Sequence, residues 1–258
     1  MGCQLFTVRP DPSFIQQVAL GHFPGYKIVH KYGLNPNIGA GTDEDIWDTG
    51  GVKQYFTTAA TLNIDSTNGN DTAGGTGLQT VLIRGLDGSY NEVEEIVTMN
   101  GTPNVVTVNS YLRLNDMIGL TVGSAGENVG DIRARTGGAA TEQGRIESNP
   151  GLGRGRFSHY TVPANWEGLL FNLSATMNGT ENAKEGTVYF LTRTAPDAPW
   201  IYNHGIGLSN RATSHSSDFY PEGSFYLAPQ TDIKGFGDAE DGTTKLAIAY
   251  SILLRRIA

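Results

Sequence analysis

Apolar and polar residues alternate through most of residues 52–135, and Gly, Asn and Asp interrupt the alternation at short intervals. A period of two puts successive side chains on opposite faces of a strand. Thr80-Val81-Leu82-Ile83-Arg84 predicts one strand and Leu86-Asp87-Gly88-Ser89 a turn. The next strand runs through Val93, Ile96 and Val97 and stops at Asn100-Gly101. Asp-Gly and Asn-Gly pairs between such runs signal hairpins, because both central residues must tolerate positive φ. Two hairpins in succession predict a meander, and its apolar face needs a second layer.

A second β region is predicted over residues 160–258. Its strand candidates are Leu169–Thr176, Thr187–Thr192, Gly223–Leu227 and Lys245–Leu254, with a short one at Thr231-Asp232-Ile233. Residues 136–159 lose the alternation, and Gly, Asn and Pro there predict a linker made locally basic by Arg145, Arg154 and Arg156. Residues 1–51 read as an N-terminal arm and a loop-rich segment with one strand candidate, Tyr26–Tyr32. Asp11-Pro12 predicts the start of a short helix that gathers Phe14, Ile15, Val18 and Ala19 on one face. The expected fold is all-β. It is an antiparallel β-sandwich or jelly-roll-like architecture in two β regions, 52–135 and 160–258, with a short N-terminal helix or arm.

Composition narrows this picture. The chain has 258 residues, 38% of them hydrophobic and 17% charged, which suits a globular protein. Its 34 glycines favour short strands and many turns over helices. A net charge of -8 disfavours a broad nucleic-acid face, which needs a basic surplus. Cys3 is the sole cysteine, so no disulfide framework is expected. No apolar run approaches the length of a membrane span. The first residues lack the basic-then-apolar plan of a signal peptide, so synthesis in a reducing cytoplasm is expected.

Candidate chemistry changes the picture little. Asp43, Glu44, Asp45 and Asp48 surround Ile46 and Trp47, a pattern read as an acidic turn over a buried Trp rather than a cation site. Residues 65–77 superficially suggest a calcium or phosphate loop. The terminal Glu of the first and the Lys-Ser/Thr of the second are missing, so turn chemistry is expected. There is no Gly-x-Ser-x-Gly elbow, and the histidines lack zinc-binding spacing. No metal, cofactor or catalytic residue is assigned. The segment from Ala195 to Pro221 reads as a long aromatic loop, and Trp200, Tyr202, His204, Asp218 and Tyr220 are its candidate ligand or receptor contacts.

The stretch Asn70-Asp71-Thr72-Ala73-Gly74-Gly75-Thr76-Gly77, then Gly85-Leu86-Asp87-Gly88-Ser89-Tyr90-Asn91-Glu92 and Met99-Asn100-Gly101-Thr102, resembles a family of tailed-bacteriophage virion structural proteins. Similar segments flank this core at Pro24-Gly25-Tyr26, Ile46-Trp47-Asp48-Thr49-Gly50-Gly51, Tyr111-Leu112-Arg113-Leu114-Asn115-Asp116 and Tyr160-Thr161-Val162-Pro163-Ala164. The likeness covers roughly residues 20–170. It implies a non-catalytic virion component, assembled in the host cytoplasm, that self-associates and docks on the tail or its attachment apparatus. A capsid-decorating role is the alternative, and a glycan- or receptor-binding module is a second. The implied partners are copies of itself and other virion proteins of the tail, adaptor or capsid. The expected contact residues are Leu5, Phe6, Phe14, Ile15, Trp47, Arg154 and Arg156.

Overall fold

The computed structural model describes residues 13–136, 141–148, 150–151, 153–179, 185–209, 215–219, 225–240 and 244–257. The described chain opens with helix α1 (Phe14–Ala19), strand β1 (Tyr26–Ile38) and the short β2 (Glu44–Asp45). Strands β3 (Ala60–Ser66), β4 (Leu78–Leu86), β5 (Glu92–Thr98), β6 (Val105–Tyr111), β7 (Arg113–Val122), β8 (Ile132–Thr136) and β9 (Glu142–Ile146) follow. The chain ends with β10 (Tyr160–Thr161), β11 (Trp166–Gly179), β12 (Glu185–Arg193), β13 (Ile201–Ser209), β14 (His215–Phe219), β15 (Phe225–Leu227), β16 (Asp232–Ala239) and β17 (Thr244–Arg256).

These strands form two antiparallel sandwiches. In the first, the sheet β1-β17-β11-β14, with β15 beside β11, faces the sheet β10-β16-β12-β13, with β2 beside β16. Ile38, Leu173, Val188, Phe190, Ile206, Ile233, Ile248, Tyr250 and Ile252 lie in the core between them. In the second, β6-β3-β8-β9 faces β5-β4-β7 over Leu62, Ile64, Leu78, Val81, Ile83, Tyr111, Met117 and Ile132. The second sandwich is therefore an insertion between β2 and β10 of the first. The outgoing and returning strands of chain lie side by side, with Trp47 bridged to Phe157 and Ser158 N donating to Ile46 O (3.1 Å). Both aromatic rings leave the first sandwich and enter the core of the second.

The all-β antiparallel sandwich is the expected class, but several sequence boundaries move. Residues 26–38 are a full strand paired to β17 from Tyr26↔Arg255 to Ile38↔Thr244, so this segment belongs with the C-terminal strands. The predicted linker contains β9, which pairs with β8. The predicted aromatic loop contains β13 and β14, and Ile206 and Leu208 of β13 reach the core. The meander fails after its first hairpin. β5 pairs with β4, whereas β6 crosses to the other sheet and pairs with β3. Asn100-Gly101 marks that crossing, with Gly101 at φ 71. Helix α1 starts two residues later than Asp11-Pro12 suggests. Ser13 caps it by a capping box with Gln16, in which Gln16 N donates to Ser13 Oγ and Ser13 N to Gln16 Oε1, so two otherwise open backbone N–H groups are satisfied.

One buried carboxyl explains the glycine-rich motif at residues 70–77. Asp71 is fully buried. Its Oδ1 accepts from Leu78 N (2.7 Å) and Val129 N (2.9 Å), and its Oδ2 from Gly130 N (2.7 Å) and Ser66 Oγ (2.6 Å). One side chain thus ties the end of β3, the start of β4 and the approach to β8. A Cβ at Gly77 would stand 2.1 Å from Asp71 Oδ1, so the glycine there is required by close approach. Asp71→Ala leaves three backbone N–H groups without an acceptor, each worth about 1–3 kcal/mol when buried. The expected loss is about 3 kcal/mol or more, read as a lower urea midpoint; a loss under about 1 kcal/mol would contradict this role.

Candidate functional site at the charged seam between the sandwiches

The outward face of β16 carries Asp232, Lys234, Phe236 and Asp238, because alternate residues share a face. Ile233, Gly235, Gly237 and Ala239 point the other way, toward the first core. The half of this face nearest Asp232 is covered by the second sandwich, and charged side chains fill the contact.

Asp232 is its centre. Arg113 of β7 donates to it through Nε (2.7 Å, to Oδ1) and Nη2 (3.0 Å, to Oδ2). Arg193 Nε adds 2.8 Å to Oδ2 and Thr161 Oγ 2.6 Å to Oδ1. Arg113 Nη1 donates to Phe56 O and Leu112 O, so its fork is fully used. Tyr55 lies between the two guanidinium groups, 5.1 Å from that of Arg113 and 4.4 Å from that of Arg193. Burial acts to raise the Asp232 pKa, but the Arg113 bonds and charge outweigh it and hold the carboxyl below its usual value. Next to this cluster, Asn115 Nδ2 donates to Thr161 O (3.1 Å) and its Oδ1 accepts from Thr161 N (3.0 Å). The amide thus acts as one further strand residue linking β7 to β10.

A second carboxyl, Asp45 of β2, anchors the other end. Lys234 Nζ donates to Oδ1 (2.5 Å), and Lys53 N (2.9 Å) and His159 Nε2 (3.0 Å) to Oδ2. Burial and the Lys53 charge lower the His159 pKa to about 4, so the ring is neutral and donates Nε2–H at pH 7. For Asp45, burial acts upward, while the His159 bond and the Lys234 ammonium leave the carboxyl below its usual range. Lys53 Nζ reaches Gln143 O and Lys31 Nζ reaches Asn115 O, and burial lowers these amines to about 7 and about 8. The Arg113, Lys31, Lys53 and Lys234 donors reach protein acceptors, while Arg193 Nη2 and the Tyr55 hydroxyl are buried without one among the described residues. The arrangement fixes two bodies; it does not present a nucleophile or a metal cradle. Among the described residues, no group of His, Cys, Asp and Glu has metal-holding geometry.

The residues singled out from the sequence disperse. Trp47 is 4% exposed and packs in the second core, so it is not a surface contact. Arg156 pairs with Asp48 at 2.8 Å as a largely buried strut beside the seam, whereas Arg154 is exposed and pairs with Asp116 at 2.5 Å at the surface. Phe14 stacks with Phe23 and Tyr26 of its own chain, and Ile15 is half-buried on the same helix. Leu5, Phe6 and Tyr220 lie outside the described residues. Trp200 closes the seam over Arg193 (4.6 Å) and Lys234 (4.7 Å), whereas Tyr202 stands exposed on β13 beside Tyr189. His204 follows on β13, and the backbone of Asp218 pairs with Ser174 on the other sheet. These residues are not one site. Arg113, Asn115, Arg193 and Asp232 were missed, and Asp45 was read only as part of an acidic turn. Of these, Arg113 and Asn115 stood inside a family-like segment, and the partners of all of them are distant in the chain.

A different surface stands at the free edges of the second sandwich. β5 and β6 are edge strands of its two sheets. Between Asn63↔Val106 and Thr61↔Ser110 the ladder bulges, leaving residues 107–109 opposite Leu62. Thr107 Oγ fills the gap by accepting from Leu62 N (2.8 Å). Glu95 of β5 holds the bulge from outside, accepting from Val108 N (2.9 Å) and Asn109 N (3.3 Å). Val108 is pushed out to 90% exposure, with Val106 at 58% and Ile96 at 62% on the same two strands.

No protein-family model and no curated protein matches the chain. Among solved structures, it is similar to that of the infectious bursal disease virus Gt strain, at 9% identity over 90% of this chain and 76% of that one, with a TM-score of 0.21. It is also similar to the VP2 subviral particle of infectious bursal disease virus, at 11% identity over 90% and 77%, with a TM-score of 0.19. Scores this low carry no argument about the architecture or the role of this chain. Among the described residues, no helix is long and apolar enough to cross a membrane.

Two outcomes test the seam. Asp232→Ala strands Arg113 and Arg193 as buried, unpaired charges and is expected to cost about 3–5 kcal/mol, measured by denaturant unfolding; a neutral result would contradict the account. The His159 pKa is lower folded (about 4) than unfolded (about 6.5). The unfolded chain therefore takes the proton first, and stability falls as pH drops through that window. Asp48, raised to about 6 chiefly by burial, acts in the opposite sense between about 3.8 and about 6. Comparison with His159→Gln, which keeps a donor to Asp45, isolates the histidine. The wild type should lose up to about 3 kcal/mol more than the variant between pH values of about 6.5 and about 4, and parallel stability curves would exclude it.

Proposed function

We propose that this protein is a non-catalytic building block of a virus particle, a tailed-phage virion component whose work is adhesion to copies of itself and to neighbouring virion proteins. The observation that carries the reading is the apolar edge at Ile96, Val106 and Val108. An open strand edge invites pairing with another chain, and monomeric proteins blunt such edges with charge or cover them. Here Glu95 takes the Val108 and Asn109 N–H groups, so backbone pairing is blocked at the bulge and what stays open is the outward-pointing Val side chain. The motif resemblance supports the same reading. Its segments turn out to build the seam and the turns around it: Asp71 in one, Asp87 in another, Arg113 and Asn115 in a third, and Thr161 in a fourth. Asp87 Oδ1 accepts from Ser89 N and Asn91 N, and Tyr90 O of that turn accepts from Ala164 N across the seam (2.9 Å). These residues serve rigidity, which a subunit under assembly load needs.

Val108→Asp tests the proposal, since the side chain is exposed and the core is untouched. Light scattering should show a defined oligomer for the wild type that dissociates in the variant, with unchanged circular dichroism. A wild type that stays monomeric at high concentration and is missing from imaged particles would overturn the reading. Its place in the image decides between the tail or its attachment apparatus and the capsid surface.

A further inference from the structure

The outer face of β16 is only half used by the seam. Beyond Phe236 the same face continues across β12 and β13 into the open, in two rows: Gly205, Tyr189 and Phe236, then Gly207, Thr187 and Asp238. Tyr202 is 59% exposed and lies against Tyr189, with ring centroids 5.3 Å apart at 60°. Glycine at 205 permits this, because a Cβ there would stand 2.0 Å from the Tyr202 hydroxyl. Asp238 sits beside the rings. Its Oδ2 accepts from Tyr189 Oη (3.1 Å) and its Oδ1 from Thr187 N (2.9 Å).

Gly207 is the telling residue. It is exposed in mid-strand, has no positive φ, and a Cβ there would meet nothing within 4 Å among the described residues. Packing does not require glycine, and glycine weakens a strand. A strand glycine often marks a bulge, a bend or a place where a ligand or another backbone comes close, and the ladder is regular at Thr187↔Gly207. Beside it opens a cavity of about 720 Å³, lined among others by Asp43, Thr187, Gly207, Asp238 and Glu240. No lysine, arginine or histidine lines it among the described residues.

We propose that this shelf binds a neutral polysaccharide, with a pyranose ring stacked on the Tyr202–Tyr189 pair and its hydroxyl groups hydrogen-bonded to Asp238 and Thr187. A pyranose has one face of C–H groups and a rim of hydroxyls. The first suits an exposed tyrosine ring, and the second suits carboxylates, which accept from hydroxyls. A bare glycine leaves room for the next sugar along the strand. The acids among the described lining residues repel sulfated, phosphorylated or sialylated chains, which favours an uncharged ligand. The shelf is separate from the β5 and β6 edge, so this inference does not rest on the assembly reading.

The test is an array of neutral and acidic oligosaccharides probed with the full chain, followed by calorimetry on any neutral hit. Two variants accompany it. Tyr202→Ala removes the stacking face. Gly207→Leu fills the shelf at a position with open space, so the fold should be kept, as circular dichroism and the thermal midpoint would show. The expected result is neutral-sugar binding weakened about tenfold or more in both variants. Binding that survives both substitutions, binding of acidic glycans alone, or no neutral glycan bound at millimolar concentration would each overturn the proposal.

Discussion

Asp232 is the point on which the two halves of the molecule turn. A carboxyl that is 1% exposed can remain charged only if its lost hydration is replaced, and here two guanidinium groups and a hydroxyl replace it. The cost of desolvating these groups is large, so the cluster contributes less to net stability than a well-packed apolar contact would. What it supplies is uniqueness. A flat apolar contact between sandwiches could slide, whereas a bidentate Arg113 with a fully committed fork fits one position only. Asn115, which pairs with both backbone groups of Thr161, removes the remaining freedom.

This rigidity suits the topology. The second sandwich hangs from the first by two adjacent connections, and insertions of that kind are free to hinge unless the contact between bodies is specific. Trp47 and Phe157, on those two connections, lie inside the inserted core, so the tether itself is part of the packing. The seam and the tether together make one body of two sandwiches. Its free edges, at Ile96, Val106 and Val108, then stand at fixed positions relative to the shelf at Tyr202 and Gly207.

The class of fold was legible because it rests on local pattern. Period-two alternation and turn residues every few positions predict antiparallel strands regardless of partners, and β4, β5, β11, β12 and β17 lie close to where the pattern puts them. The site was far less legible. Arg113 and Asp232 are 119 positions apart and Lys234 and Asp45 are 189 apart. Nothing in the neighbourhood of either residue names its partner. Trp47 was read as an interface contact and Trp200 as a ligand contact, but an aromatic residue reads the same in a sequence whether it serves a core, a seam or a surface.

By itself, then, the chain determined strands, turns and the absence of a helical layer, since these follow from backbone preferences and alternation that act over a few residues. Only the tertiary structure decided which strands are neighbours: that β1 lies beside β17, that β6 leaves β5 for the opposite sheet, and that one sandwich is inserted into the other. Those choices depend on long-range burial and on charges that lose water together, and such energies exist only once distant segments have met.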